Sequence, residues 1–262
     1  MSVSIINTLR AAGCVFAEDE ARLFVSAAST PAELDFMVGQ RISGVPLEYI
    51  VGWASFCGIR ISVDPGVFVP RRRTELLVRE ALVVAPPHAT VVDLGCGSGA
   101  VGAALLSKQP INLYAVDLDP AAVECARRNV DGTVLLGDLY EPLPSQLRGR
   151  VDVIVANTPY VPTEAIRLLP AEARIHERRV ALDGGVDGLS ILRRVVSGAP
   201  QWLAPGGHLL IETSAHQAST VNDVILAHGF TPRVSQCDEL DATVVVGTLA
   251  AVRATRNPTS SI

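Results

Sequence analysis

The sequence lacks the features that mark disulfide-linked proteins, membrane-spanning proteins and proteins that bind nucleic acids nonspecifically through the phosphate backbone. Its five cysteines are odd in number and form no C-x-x-C pair, so neither a disulfide framework nor a zinc site is indicated. No stretch approaches the ~20 apolar residues that cross a bilayer, and residues 1–10 lack the basic start and apolar run of a signal peptide. The net charge of -5 offers no general attraction to phosphate backbones. We therefore expect a cytoplasmic protein without metal, membrane contact or direct nucleic-acid binding.

Length and composition indicate how the chain is organised. With 262 residues, 48% of them hydrophobic, it can form one large core and a small additional unit. Changes in residue pattern predict an N-terminal helical domain at 1–47, a linker with a short β-hairpin at 48–73, a main domain at 74–252 and a flexible polar tail at 253–262.

Local signals predict the elements of the first two regions. Helices are expected over residues 5–12 and 18–28 because apolar residues recur there at helical spacing. Thr30, followed by a proline, supplies the N-cap of a third helix. In the linker, two short apolar runs at residues 58–63 and 66–69 predict the strands of the hairpin.

The main domain alternates apolar runs of strand character with helical segments. Helices are predicted at residues 75–84 and 120–130, the second with Asp119 as N-cap. The predicted strands are Thr90–Leu94, Asn112–Val116, Thr133–Leu136, Val151–Ala156, His208–Glu212 and Thr243–Leu249. This alternation is typical of an α/β fold with a doubly wound, mostly parallel sheet and helices on both faces. Such folds bind ligands at the carboxyl ends of their strands.

A glycine-rich turn follows the first predicted strand of the main domain. The run Asp93-Leu94-Gly95-Cys96-Gly97-Ser98-Gly99 leads into a helix, so backbone amides and a positive helix N-terminus can approach a ligand closely. Two ligand types fit this pattern. Gly97, Gly99 and Gly102 satisfy the G-x-G-x-x-G spacing of nicotinamide dinucleotide sites, with Asp117 placed for a ribose hydroxyl. The alternative is a nucleotide-like cofactor that carries positive charge.

Asp93 favours the cationic cofactor, because a carboxylate at the loop repels a pyrophosphate but suits an ammonium and a sulfonium. The loop spacing resembles motif I of class I S-adenosylmethionine-dependent methyltransferases. That resemblance implies that the loop holds the methionine part, that Asp117 binds the ribose, and that Asp138 and Leu139 lie beside the adenine. By position alone, Asp138 is equally well explained as a turn residue. The implied cofactor-binding residues are Asp93, Gly95, Cys96, Gly97, Ser98, Gly99, Asp117, Asp138, Leu139 and Asn157.

The tetrapeptide Asn157-Thr158-Pro159-Tyr160 follows the fourth predicted strand of the main domain. It resembles the N-P-P-Y motif of methyltransferases that act on planar nitrogens, so Asn157, Thr158, Pro159 and Tyr160 are the implied catalytic residues. An amide nitrogen is a poor nucleophile because its lone pair is delocalised into the carbonyl. The Asn157 side-chain oxygen and the Thr158 main-chain carbonyl can each accept one hydrogen of an NH2 group and turn that lone pair toward a methyl donor. By the same resemblance, Tyr160 stacks on the planar group.

A longer set of positions matches the sequence pattern of one particular methyltransferase family. The matching positions are Arg41, Gly44, Pro46, Leu47, Tyr49, Ile50, Gly52, Phe56, Gly58, Val67–Arg71, Thr74, Glu75, Ala181, Leu182, Gly184, Gly185, Asp187–Leu189, Leu203, Pro205–Gly207, Leu209, Glu212 and Gln217. They are similar to the HemK (PrmC) family, whose members methylate a glutamine in peptide-chain release factors. The resemblance covers residues 18–250. It implies S-adenosylmethionine-dependent N5-methylation of a protein glutamine, with a release factor as the protein partner.

Several positions depart from the pattern of that family. Thr158 stands where the family has proline, Arg72 and Arg73 replace a proline and an acid, and Arg178 stands where proline is frequent. The helical domain is also short, which suggests a divergent paralogue. Two alternatives stay open: an amino-methyltransferase that acts on a nucleic-acid base or small metabolite, and a non-catalytic S-adenosylmethionine-binding protein. The arginines at 71–73 form either a solvated face or a contact for an acidic partner.

Overall fold

The structure is a computed structural model that describes residues 2–251, so the predicted tail at 253–262 lies outside the described residues. Within that range the α-helices are α1 (Ser2–Ala11), α2 (Ala17–Ala27), α3 (Pro31–Ile42), α4 (Leu47–Val51), α5 (Glu75–Val84), α6 (Ala100–Leu106), α7 (Pro120–Asn129), α8 (Ala171–His176), α9 (Ser190–Gly198) and α10 (Ala218–Ala227). The β-strands are β1 (Trp53–Phe56), β2 (Ile59–Ser62), β3 (Thr90–Leu94), β4 (Asn112–Asp117), β5 (Thr133–Leu136), β6 (Val151–Ala156), β7 (Leu203–Thr213), β8 (Phe230–Cys237) and β9 (Ala242–Leu249). None of the helices in residues 2–251 combines the length and apolar character needed to cross a membrane.

Helices α1 to α4 pack around a core of their own, in which Leu9 and Phe24 are fully buried. Thr30 is the N-cap of α3, which confirms the prediction, and its hydroxyl oxygen accepts a hydrogen bond from the Glu33 N–H at 3.2 Å. The short helix α4 was not predicted. It ends at Gly52, whose φ of 78° lies in the left-handed region that glycine adopts readily.

The hairpin lies earlier in the chain than the sequence predicts. Strand β1 pairs antiparallel with β2, and the two are joined by Cys57 and Gly58 with φ values of 50° and 79°. A two-residue turn with two positive φ angles matches the right-handed twist of paired strands. The predicted strand at 58–63 is confirmed as β2, but the predicted strand at 66–69 was wrong: the partner of β2 is β1, which precedes it, and Gly58 forms the turn between them.

Strands β3 to β9 form one seven-stranded sheet in the order β5-β4-β3-β6-β7-β9-β8. The strands from β5 to β7 in this order run parallel, whereas β9 is antiparallel to both β7 and β8. This confirms the predicted α/β fold with a mostly parallel sheet. Strand β8 was not predicted, because at the edge of the sheet most of its side chains are exposed or half-buried and it carries little apolar pattern.

The sheet separates two hydrophobic cores. Val91 and Val153 belong to one core, and their neighbours Val92 and Ile154 belong to the other. Successive side chains of a strand point to opposite faces, so helices cover both faces of the sheet. The chain runs outward from β3 to β5 and then returns to β6 on the other side of β3. The switch point of the sheet therefore lies between β3 and β6, where open α/β sheets bind ligands.

Candidate active site

A cavity of about 550 Å³ opens at the carboxyl ends of β3, β4 and β6. It is lined by the glycine loop after β3, by residues 116–119, 137–139 and 157–161 after the next strands, and by parts of residues 169–183. This volume lies within the range of small-molecule sites. Among the described residues, no group of three or more His, Cys, Asp or Glu side chains is arranged to hold a metal ion.

Backbone hydrogen bonds hold the glycine loop against β4. The N–H groups of Gly95 and Cys96 donate to the Val116 carbonyl at 2.9 and 3.0 Å. Gly95 and Gly97 have φ values of 70° and 56°, which other residues rarely adopt. A Cβ on Gly97 would meet no atom within 4 Å, so the loop leaves room for a ligand there. Cys96 and Ser98 also line the cavity.

Gly99 lies behind the loop, where it is needed for packing. It is the N-cap of α6 with a φ of 79°. A Cβ on Gly99 would lie 3.0 Å from Val130 Cγ1 and 3.2 Å from Ala126 Cβ. A Cβ on Gly102 would come within 2.6 Å of Leu113 Cδ2. Close packing therefore explains two of the three glycines in the G-x-G-x-x-G spacing.

Asp93 is buried beneath the loop, with 2% of its surface exposed. Burial raises the pKa of Asp93 to about 7; the hydrogen bond from the Gly102 N–H, at 3.3 Å, opposes this shift, and the charge of Asp117 adds to it. At neutral pH the carboxyl is thus near half protonation. A cation bound beside it would favour the ionised form.

Asp117 ends β4, and both of its carboxylate oxygens are oriented by backbone groups. Oδ2 accepts from the Gly97 N–H at 2.8 Å, and Oδ1 accepts from the Asp119 N–H at 2.9 Å. Burial raises the pKa of Asp117 as well. Each oxygen keeps a lone pair that can accept a hydroxyl of a ligand. Asp119 itself caps α7 by accepting from the Ala121 N–H at 2.9 Å, as predicted.

Asp138 and Leu139 follow β5 and line the same cavity. The Asp138 carboxylate pairs with Arg194 of α9 at 2.8 Å. Leu139 has a φ of 50°, in the left-handed region that few non-glycine residues occupy. Such strain persists where the surrounding structure holds the residue in place, and here it brings Leu139 to the cavity wall.

The tetrapeptide 157–160 follows β6 and places Asn157 in the cavity wall. The Asn157 Nδ2 donates a hydrogen bond to Thr74 Oγ1 at 3.1 Å. Its Oδ1 is therefore the amide atom left for a ligand. The Thr158 side chain is buried, and its Cγ2 lies 3.6 Å from the position that a Cβ on Gly95 would occupy. The tetrapeptide and the glycine loop are thus in direct contact.

Tyr160 is held on both sides by residues that the sequence did not connect with it. Gln217 Nε2 donates to the Tyr160 carbonyl at 3.1 Å, and the Arg73 guanidinium lies 5.8 Å from the centre of the Tyr160 ring. Burial and the nearby Glu212 carboxylate raise the pKa of Tyr160 to about 12. The hydroxyl therefore stays protonated across the physiological pH range.

Ion pairs that the sequence did not predict hold residues 163–182 beside the cavity. The pairs are Arg41 with Glu172, Arg71 with Glu177 at 2.6 Å, and Arg178 with Asp119 at 2.7 Å. Glu177 is buried, so Arg71 serves a structural contact and does not belong to a solvated face. The partners are far apart in sequence, and no local pattern could have indicated these contacts.

Comparisons with known proteins agree with this architecture. Residues 58–186 match the methyltransferase small domain family. The release factor glutamine methyltransferase of Geobacter sulfurreducens is 42% identical over 200 residues, which are 74% of this chain and 69% of that protein. The protein of the same name from Moorella thermoacetica is 39% identical over 203 residues, covering 73% of this chain and 70% of that protein. The solved structure of a methyltransferase from Pyrococcus furiosus shares the fold, with a TM-score of 0.56 at 17% identity over 74% of this chain and 90% of that chain.

Proposed function

Because the chain belongs to the family of release factor glutamine methyltransferases, we propose that it transfers a methyl group from S-adenosylmethionine to the side-chain amide nitrogen, N5, of a glutamine in a peptide-chain release factor. Its fold is that of the class I S-adenosylmethionine-dependent methyltransferases. The observation that carries the proposal is the position of Asn157, whose side-chain oxygen is left to the cavity next to the glycine loop.

The donor groups around the glycine loop suit this cofactor. When bound, S-adenosylmethionine supplies an electrophilic methyl group on a positively charged sulfonium. Asp93 places a titratable carboxyl beneath the loop. Asp117, Asp138 and Leu139 line the cavity; Asp117 would offer acceptor oxygens to the ribose, and Asp138 with Leu139 would border the adenine. A pyrophosphate would lie against the Asp93 and Asp117 carboxylates, which disfavours a nicotinamide dinucleotide.

The residues after β6 orient the glutamine amide. Asn157 Oδ1 and the Thr158 carbonyl each accept one hydrogen of the NH2 group, so the nitrogen lone pair turns out of conjugation with its carbonyl. The Tyr160 ring packs against the planar amide and excludes water. The amide nitrogen would then form the new N–C bond as the C–S bond of the sulfonium breaks with the thioether as leaving group, and one of the two amide protons would be released to bulk solvent. The product is a neutral N-methyl amide, and no strong base is required.

We also propose a protein partner and a location in the cytoplasm. The release factor is a protein substrate, and we expect no direct nucleic-acid binding. All five cysteines are free thiols, which suits the reducing environment of the cytoplasm.

The test is transfer of labelled methyl from S-adenosylmethionine to a purified release factor, with mass spectrometry to locate the label. We expect label on one glutamine. The Asn157→Ala variant should lower kcat about 10²-fold, because the substrate amide is no longer oriented. Its affinity for S-adenosylhomocysteine should stay within about threefold, because most cofactor contacts are unchanged. Asn112→Ala is the matched control, since Asn112 is exposed and its side chain, among the described residues, bonds to the His88 carbonyl alone, at 2.9 Å.

Other outcomes would contradict the proposal in distinct ways. Label found only on a nucleic acid or a small metabolite would identify an amino-methyltransferase of different substrate class. Tight binding of the cofactor without transfer to release factor, nucleic acid or cell extract would identify a non-catalytic binding protein.

A further inference from the structure

Asn129, the last residue of α7, bonds to two other parts of the chain through its side chain. Its Oδ1 accepts a hydrogen bond from the Ser62 N–H at 2.9 Å, and its Nδ2 donates to the Ser62 carbonyl at 2.8 Å. The same Nδ2 donates to the Ser98 carbonyl at 2.8 Å. One half-buried side chain therefore connects α7 with the end of β2 and with the glycine loop.

These three bonds fix the orientation of the Asn129 amide. Its oxygen faces an N–H group, and the two hydrogens of its nitrogen are available for the two carbonyls. Rotation of the amide by half a turn would set its oxygen against both carbonyls. Ser62 lies on the edge of β2 that is not paired with β1, and backbone groups at such an edge need partners from outside the sheet. Asn129 supplies both partners for Ser62.

The Ser98 carbonyl lies between two glycines of the loop. Gly97 and Gly99 have φ values of 56° and 79°, and glycine leaves this region of backbone conformation as readily as it enters it. The peptide unit after Ser98 is held at both ends. Its carbonyl accepts from Asn129, and its N–H, which belongs to Gly99, donates to the Cys96 carbonyl at 2.8 Å. Asn129 thus restricts the part of the loop in which Ser98 lines the cavity.

We propose that Asn129 is a positioning residue for S-adenosylmethionine, which holds the glycine loop in its ligand-binding conformation and connects that conformation to the linker hairpin. Asn129 is not among the described residues that line the cavity, so it acts through the Ser98 carbonyl and not by contact with the ligand. The inference rests on the proposed cofactor site, in which the loop binds the methionine part. Loss of Asn129 should therefore weaken the binding of that part more than the binding of the adenosine.

Titration calorimetry with two ligands tests this role. S-adenosylhomocysteine carries the amino-acid part, whereas methylthioadenosine has the same adenosine and sulfur without it. Asn129→Asp keeps the oxygen that accepts from Ser62 but places a second oxygen against the Ser62 and Ser98 carbonyls. We expect it to raise the Kd of S-adenosylhomocysteine about five- to tenfold and the Kd of methylthioadenosine less than about twofold. Asn129→Ala, which removes the whole amide, should act in the same direction.

Arg128→Ala is the matched control for these substitutions. Arg128 precedes Asn129 in α7 and pairs with Asp64 of the linker, but among the described residues it makes no hydrogen bond to the glycine loop. Its removal should leave both Kd values unchanged. Equal rises of the two Kd values in Asn129→Asp, or rises of the same size in Arg128→Ala, would overturn the positioning role. Thermal unfolding of each ligand-free variant identifies any general loss of folded protein.

A second measurement uses the wild type, so it does not depend on the folding of a variant. In proton–nitrogen correlation spectra, the side-chain amide signal of Asn129 should shift when S-adenosylhomocysteine binds. The corresponding signal of Asn112 should stay in place, because Asn112 begins β4 at the edge of the sheet opposite the cavity. An unmoved Asn129 signal would contradict the inference.

The two possible failures are distinguishable. If the wild type does not bind S-adenosylhomocysteine, the proposed cofactor site fails and the inference fails with it. If the wild type and Asn129→Asp bind it equally well, only the positioning role fails. The absence of methyl transfer to a release factor would overturn the substrate assignment and leave the role of Asn129 in place.

Discussion

At the scale of single residues, the site concentrates carboxyl groups that burial makes harder to ionise. Asp93, Asp117 and Glu212 all lie at the carboxyl edge of the sheet, and burial raises the pKa of each. In the unfolded chain Asp93 ionises near pH ~4, but the folded protein keeps its proton up to a pKa of about 7. Its contribution to stability is therefore full below pH ~4 and is lost as the pH rises through about 7. A cationic ligand bound beside the ionised Asp93 carboxylate would offset this loss of stability.

Substitution of Asp93 by asparagine should show that the ionisation of Asp93 makes cofactor affinity depend on pH. For the wild type, we expect the affinity for S-adenosylmethionine to rise roughly tenfold between pH ~5.5 and ~7.5, a range that ends below the ordinary α-amino pKa of ~7.7–8.0, so that the amino group of the ligand stays mostly charged. In Asp93→Asn most of that pH dependence should disappear, and affinity at the upper pH should be lower. Titration calorimetry at several pH values measures both.

The ligand-free Asp93→Asn protein should also unfold at a higher temperature than the wild type at pH ~7.5, because it buries no charge. Asp131→Asn is the control, since Asp131 is exposed in the turn before β5. A pH dependence that persists unchanged in Asp93→Asn would show that another group controls cofactor binding.

At the scale of elements, the segment of residues 163–182 is held to the cavity by ion pairs of unequal strength. Arg71 pairs with the buried Glu177, whereas the Arg178 side chain, which pairs with Asp119, is 54% exposed. Exposed ion pairs contribute little because water and salt screen them. The ion pair between Arg178 and Asp119 should therefore affect how tightly the cofactor is bound but contribute little to the stability of the fold.

Arg178→Gln should raise the Kd of S-adenosylhomocysteine about two- to fivefold and make it less dependent on salt, as expected for the loss of one exposed ion pair. Stopped-flow measurement of cofactor release should show a faster rate constant. Arg174→Gln is the control, because Arg174 is an exposed arginine of the same segment but, among the described residues, does not share the ion pair that Arg178 makes with Asp119. Equal effects of the two substitutions would mean that only the net charge of the segment matters.

At the scale of the whole molecule, Arg41 joins the N-terminal helices to the catalytic domain. Its Nε donates to Glu20 of α2 at 2.7 Å, and its Nη1 contacts both the Val45 carbonyl and Glu172 of α8. Arg41 and Glu20 are only 12% and 8% exposed. The pKa of Arg41 is raised by these carboxylates despite its burial, so the guanidinium remains charged.

Arg41→Ala should lower the free energy of unfolding by about 3 kcal/mol, because it leaves the buried Glu20 carboxylate unpaired. Urea denaturation followed by circular dichroism measures this change. Arg10→Ala should change stability by less than about 0.5 kcal/mol, since Arg10 and its partner Glu18 are both more than half exposed. Similar losses for the two variants would show that burial does not determine the strength of these pairs.

Much of the fold and part of the site could be predicted from local patterns. The glycine loop after β3 and the tetrapeptide after β6 stand out because a strand, a turn and a helix start are encoded by neighbouring residues. The hairpin was misplaced because Gly58 fits both a strand start and a turn, and only the pairing of β1 with β2 decides between them. Strand β8 escaped prediction because an exposed edge strand has little hydrophobic pattern.

The sequence by itself determined the fold class and the positions of the glycine loop and of the tetrapeptide that contains Asn157. Periodicity, turn chemistry and motif spacing are properties of adjacent residues, so they can be recognised without coordinates. Only the tertiary structure decided how that residue is held. The side chains of Thr74 and Asn157 are joined by a hydrogen bond although they are 83 positions apart. Contacts of this kind depend on how the strands and α5 pack together, which no local pattern specifies.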